Sequence, residues 1–223
     1  MSVTVLDREL YTVSEAARLL RMPGSTLRWW LDGRPAEGYP PVIRPESTGS
    51  NAVTWGEYVE AGYLHEYRQR RVSLQHLRPV IDRLREAFGA PYPLAHFKPF
   101  VGPGRRLVLE IEQELGLSAD LRMVVDAGSG QLLLTKPAES FLERVEFATH
   151  GDQWAQRIYP AGKSSKVVID PDFASGAPSV EGIRTEVLAE LAEAGEPIED
   201  IASDFSIDVA LVKQALAYEW AAA

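Results

Sequence analysis

The 223-residue chain is 45% hydrophobic and 25% charged, the composition of an ordinary globular protein. It has no apolar run near the roughly 20 residues that cross a bilayer, and Met1 to Leu10 is too charged for a secretory leader. It also has no cysteine, which removes disulfides, thiolate metal sites and cysteine nucleophiles and suits a reducing cytoplasm.

The net charge of −9 is unevenly spread. Residues 1–90 carry 12 basic and 11 acidic side chains, whereas residues 91–223 carry 11 and 21. Local potential rather than total charge governs attraction, so the head remains open to phosphates and the acidic remainder suits a basic protein partner.

In chain order, Thr12 and Glu15 form a capping box that opens a helix whose inner face carries Ala16, Ala17 and Leu20. Met22-Pro23-Gly24 breaks it. Ser25 is the expected cap of a second helix, which runs to Asp32 and stops at Gly33. Two short helices joined by a tight turn read as a helix-turn-helix. Two extended runs, Tyr39–Arg44 and Ala52–Trp55, predict a hairpin where a winged helix places its wing. Thr54 and Glu57 open a further helix from Gly56 to about Arg71. Ser73 caps another to Phe88, with Pro79 inside it as a kink.

The stretch 92–163 predicts a small β-rich region, with strands at Leu107–Ile111, Met123–Asp126 and Gln131–Thr135 and a helix near Glu139–Phe147. A turn is expected at Gly128–Gly130. Lys166–Asp170 reads as a strand. Three helices follow, over Thr185–Ala194, Pro197–Asp204 and from Ser206/Asp208 to about Trp220, again resembling a helix-turn-helix string. The expected fold is α+β in three parts: a winged helix-turn-helix over 1–90, a β-rich link over 91–163 and a helical module over 164–223.

In a helix-turn-helix, the exposed side of the second helix faces the major groove, which selects Ser25, Thr26, Arg28 and Trp29. Arg reads guanine in bidentate fashion, and hydroxyls at a helix start suit phosphates. Trp30, about 100° round the helix from Trp29, is the core candidate. Arg44 in the expected wing, with Arg18 and Arg21, adds backbone contacts. Arg68-Gln-Arg-Arg71 reads as a solvated helix end, and Arg105–Arg106 lacks phosphate-loop spacing. His65, His76, His96 and His150 are scattered, and no clustered nucleophile, base or metal-ligand spacing points to an enzyme, a metal or another cofactor. Phe173, Tyr218 and Trp220 are the candidate partner-binding residues of the acidic tail, with Phe205 and Leu216 at core-like positions.

Residues 10–33, with the wing and the helix at Val72-Ser-Leu-Gln75, resemble the MerR-like winged helix-turn-helix of bacterial regulators. Residues 166–218 resemble a small C-terminal module catalogued as a domain of unknown function. Its pattern here is Ile169-Asp170-Pro171, then Gly176, Pro178, Val180, Gly182 and Arg184, and last Ala215-Leu216-Ala217-Tyr218. The chain departs from that pattern at Ile183, usually Thr, and at Thr185-Glu186, commonly Ile-Pro. A chain joining this head and this tail resembles the large VapB-type antitoxins encoded beside PIN-domain ribonuclease toxins. That resemblance implies a dimer that binds its own operator DNA and captures the toxin. A stand-alone regulator sensing a small ligand and a non-DNA-binding adaptor are the alternatives the residues leave open.

Overall fold

The computed structural model describes residues 4–69, 74, 77–100, 102–118, 122–126, 132–151 and 153–221. The architecture is α+β, with helices around small antiparallel strand pairs. The chain forms two compact units. One comprises Met1–Leu142 with Phe147–Ala155, and the other Glu143–Glu146 with Gln156–Ala223.

In the first unit, strand β1 (Glu9–Thr12) leads directly into helix α1 (Val13–Leu19). The Thr12 hydroxyl accepts from the Glu15 amide at 3.2 Å, and the Glu15 carboxylate accepts from the Thr12 amide at 2.7 Å. The expected capping box is therefore present, and it satisfies donors that every helix start leaves open. Helix α2 (Gly24–Asp32) begins one residue before the expected cap. Pro23 occupies the cap position without a side-chain bond, and its carbonyl accepts from Thr26 and Leu27, so Ser25 lies inside the first turn.

Gly33 ends α2 at φ +68°, and a Cβ there would sit 2.4 Å from the Tyr39 carbonyl oxygen. Only glycine takes that turn without strain.

The expected wing hairpin does not form. Strand β2 (Ala52–Thr54) pairs antiparallel with β1, placing Glu9 opposite Thr54 and Thr12 opposite Ala52. Residues 41–44 turn inward instead and are buried, with Val42 and Ile43 donating to the Trp30 carbonyl. The apolar pair Val42–Ile43 packs into the core rather than onto a solvated ribbon.

Thr54 and Glu57 cap α3 (Trp55–Gln69), again by reciprocal bonds. This helix is buried along most of its length. Trp55 stacks on Tyr58 and donates through Nε1 to the Ala155 carbonyl at 2.7 Å. Tyr63 meets Phe100 and Phe141. Helix α4 (Arg78–Phe88) starts just ahead of Pro79, where the missing amide hydrogen is no loss, so Pro79 begins the helix instead of kinking it. Ser73 and Arg71 lie outside the described residues.

Leu107–Ile111 belongs to a helix, α5 (Gly102–Glu114), rather than a strand. Val108, Leu109, Ile111 and Glu112 are buried while Arg106, Glu110 and Gln113 face out, a helical stripe that the short apolar run disguises. Strands β3 (Val124–Asp126) and β4 (Leu132–Leu134) pair as expected; the turn at Gly128–Gly130 lies outside the described residues. Helix α6 (Lys136–Arg144) is followed by β5 (Val145–Phe147), which pairs with β6 (Ala155–Ile158).

In the second unit, the expected strand at Lys166–Asp170 reduces to single bridges, Ile158 with Ile169 and Val168 with Ser179. A tight hairpin joins β7 (Ser179–Val180) to β8 (Ile183–Arg184), and Glu181 and Gly182 both take positive φ, as such two-residue turns require. Helices α7 (Thr185–Glu193), α8 (Ile198–Asp204) and α9 (Val209–Trp220) follow near their expected bounds. Gly195 ends the first at φ +95°, Pro197 starts the second and the Asp208 carboxylate caps the third. Their core is Val167, Val180, Leu188, Ile201, Val212, Ala215 and Leu216, with Phe205 partly buried against it. Among the described residues, no helix is long and apolar enough to cross a membrane.

Candidate nucleic-acid interface

Helices α1 and α2 are joined by a four-residue turn that closes through Leu20 to Ala16, Arg21 to Arg18 and Met22 to Ala17. Arg21 takes φ +54° there. Leu27, Trp30 and Leu31 turn inward from α2. Ser25 and Arg28 are exposed, and Thr26 is half-buried beside them. Arg18 and Arg21 are exposed on the adjoining helix and turn. Ser25 and Arg28, three residues apart on α2, share its outer face, a hydroxyl and a cation of the kind that bind a phosphate backbone and read base edges.

Arg28 is not loose. Its Nη2 donates to the Asn51 side-chain oxygen at 2.7 Å, and its Nη1 lies 4.0 Å from Asp32. Trp29 is half-buried, with the Arg34 guanidinium 4.9 Å from its ring centre and Tyr39 edge-on at 6.2 Å. Trp30 is 3% exposed, in the core position expected of it.

Arg44 needs correction. It is 4% exposed, and its guanidinium is engaged from every side. It donates to Glu57 at 2.7 and 3.2 Å, to Asp32 at 2.9 Å, to the Thr48 hydroxyl at 2.8 Å and to the Ala52 carbonyl at 2.7 Å. A cation so enclosed ties the end of α2 and the start of α3 to the loop between them, and it presents no face to DNA. Asp32 also accepts from the Thr48 and Gly49 amides. Burial works to raise the Asp32 pKa, but Arg44 and these amides outweigh it and hold the carboxyl below its ordinary range.

Two further carboxyls are buried in this unit. Glu60 accepts from the Leu94 amide at 3.1 Å and lies 3.6 Å from Arg85, yet burial lifts its pKa to about 7. Glu112 holds the amides of Met123 and Val124, and burial lifts it to about 7 as well. Both have structural partners, and among the described residues no group of three or more His, Asp or Glu is placed to hold a metal ion.

In the second unit, Tyr218 is 7% exposed and belongs to the helical core, so it is not the surface residue expected. Its position on α9 turns it inward with Ala215, while Trp220 near the helix end is 56% exposed. Phe173 is likewise 56% exposed, on a loop where Ala174, Ser175 and Gly176 all take positive φ. The Pro178 carbonyl accepts from Thr185, whose hydroxyl bonds Glu219. Phe173, Val187 and Trp220 are the exposed large apolar side chains of this unit, and the acids Glu181, Glu186, Glu190 and Glu193 are exposed as well.

Sequence reasoning missed Asn51 and the enclosure of Arg44. Neither has a local signature, because Asn51 is 23 residues from Arg28 and the acids around Arg44 are 12 and 13 residues away.

Residues 167–218 match the family described as "Protein of unknown function (DUF433)". The chain is 32% identical over 228 residues to "Uncharacterized protein Rv2308" of Mycobacterium tuberculosis (strain ATCC 25618 / H37Rv), covering 98% of this chain and 93% of the relative. It is 30% identical over 227 residues to "Putative antitoxin VapB45" of the same organism, covering 94% and 93%. The solved structure titled "X-ray crystal structure of Rv2018 from Mycobacterium tuberculosis" superposes with a TM-score of 0.76 at 27% identity, covering 96% of this chain and all of that one. With both units inside these alignments, the chain belongs to the family of Rv2308 and the protein named "Putative antitoxin VapB45".

Proposed function

We propose that the chain is the antitoxin of a type II toxin–antitoxin pair. The observation that carries this reading is the near full-length relationship to the protein named "Putative antitoxin VapB45". The α1–α2 pair then acts as a MerR-like helix-turn-helix, with Ser25, Thr26 and Arg28 on operator DNA and Trp29 beside them. A homodimer binds its own promoter and represses it. The second unit, acidic and with Phe173 and Trp220 exposed, captures a PIN-domain ribonuclease toxin, and complementary charge speeds the encounter. In this reading the chain binds and is not itself an enzyme.

The test pairs two measurements on one preparation. Co-purification from the native host, followed by mass spectrometry, is expected to yield a small PIN-type nuclease in stoichiometric amount. Arg28→Ala is expected to weaken binding to the upstream promoter duplex by about tenfold or more, within the 1–3 kcal/mol that one good base contact supplies, while the nuclease is still retained. Recovery of the chain alone, with promoter binding intact, replaces this reading with a stand-alone regulator.

A further inference from the structure

Arg28 is the one cation on α2 and is exposed, and the structure holds it through a residue outside the helix pair. The Asn51 side-chain oxygen accepts from Arg28 Nη2 at 2.7 Å. The Asn51 backbone carbonyl accepts from the Val13 amide at 2.9 Å, at the start of α1. One residue thus joins both helices of the candidate reading head.

The loop that carries Asn51 is rigid for reasons visible in its bonds. Thr48 and Gly49 donate to Asp32, Ser50 donates to the Thr48 hydroxyl, and Ala52 donates to the Ser50 hydroxyl. Arg44 holds it from beneath through Thr48, Ser50 and Ala52. Residues 45–49 and Asn51 are nevertheless exposed, so the loop reaches solvent beside α2 on a fixed base. An arginine left to itself samples many rotamers, and ordering it on binding costs affinity. A fixed acceptor at 2.7 Å removes part of that cost and restricts the directions in which the guanidinium points.

We propose that Arg28 and Asn51 form one reading unit, in which Asn51 is the positioning residue that aims the guanidinium at the nucleic acid. The inference rests on the DNA-binding reading above. It sets the Arg28–Asn51 pair apart from Arg44, which is enclosed. Asn51 engages Nη2 and Asp32 lies 4.0 Å from Nη1, so the guanidinium is held from two sides while the side chain stays 47% exposed.

The experiment enriches duplexes from a random pool with the full chain, then measures affinity for the enriched duplex and for a scrambled one. The variants are Arg28→Ala, Asn51→Ala, both together, and Asn51→Asp, which keeps the acceptor. Asn51→Ala is expected to weaken the enriched duplex by about five- to tenfold, the size of coupling seen between touching side chains, and to relax the same base positions as Arg28→Ala. The double variant is expected to be no weaker than Arg28→Ala alone. Asn51→Asp is expected to retain the base preference at a lower overall affinity, since its charge faces the phosphates. Unchanged melting temperatures across the set exclude a folding effect.

Additive losses, or a base preference untouched by Asn51→Ala while Arg28→Ala abolishes it, overturn the reading unit and leave DNA binding standing. No enrichment by the parent chain overturns both.

Discussion

Replacing Arg44 with Met separates two roles that a sequence assigns equally well. A surface contact to DNA predicts a stable protein with weakened binding. An enclosed cation predicts the reverse order of effects. The side chain is 4% exposed, and its partners Asp32 and Glu57 are 7% and 5% exposed. Removing it leaves two buried carboxylates facing an apolar thioether, with the Thr48 and Gly49 amides still on Asp32 and the Thr54 amide still on Glu57. Breaking a buried pair from one side costs about 3–5 kcal/mol, because the remaining charge loses its partner without regaining water. In a protein of this length each kcal/mol moves the melting midpoint by about 2–4 °C, so Arg44→Met is expected to melt about 6–20 °C lower.

Circular dichroism against temperature measures the shift, and repeating it across pH tests the cause. The carboxyl of Asp32 is held below its ordinary value, so in the parent its contribution is present above about pH 3.8 and is lost as pH falls. The variant lacks that contribution, so the gap between the two proteins should narrow toward pH 3. A variant that melts like the parent at pH 7 yet loses DNA binding would refute the enclosure and return Arg44 to the interface.

Two buried carboxyls and three aromatic rings give further tests. Glu60 and Glu112 both release their protons near pH 7 in the fold and near 4.5 when unfolded, so the folded chain binds more protons between those values. Stability should therefore fall as pH rises from about 4.5 to about 7 and level off above, and Glu60→Gln should flatten the slope in urea titrations taken at several pH values. In the second unit, Tyr218→Ala should destabilise by about 3 kcal/mol, as other large aromatic truncations in cores do. Phe173→Ala combined with Trp220→Ala should leave the melting midpoint unmoved and abolish retention of the nuclease; a melting loss in that pair would place both rings in the core.

Much of this protein is written locally. The Thr12/Glu15 and Thr54/Glu57 boxes, the breaks at Gly33, Gly89 and Gly195, and the Asp208 cap each depend on residues a few positions apart. Backbone conformation and first-turn hydrogen bonds are short-range, so reading the chain found these elements and the inward turn of Trp30. The errors arose where a distant partner decided. Leu107–Ile111 has the composition of a strand, and only its packing stripe makes it helical. Ala52–Thr54 has two extended neighbours in sequence range and pairs with the N-terminal one, because Val42 and Ile43 are drawn into the core. Tyr218 and Trp220 lie two residues apart on one helix, and the position of the other helices buries the first and exposes the second. For the candidate site, the sequence by itself determined which helix presents Ser25 and Arg28, since helical periodicity sets the outer face. Whether an arginine meets solvent or a carboxylate depends on what the fold brings within 3 Å, and that decided Arg44, Asn51 and the aim of Arg28.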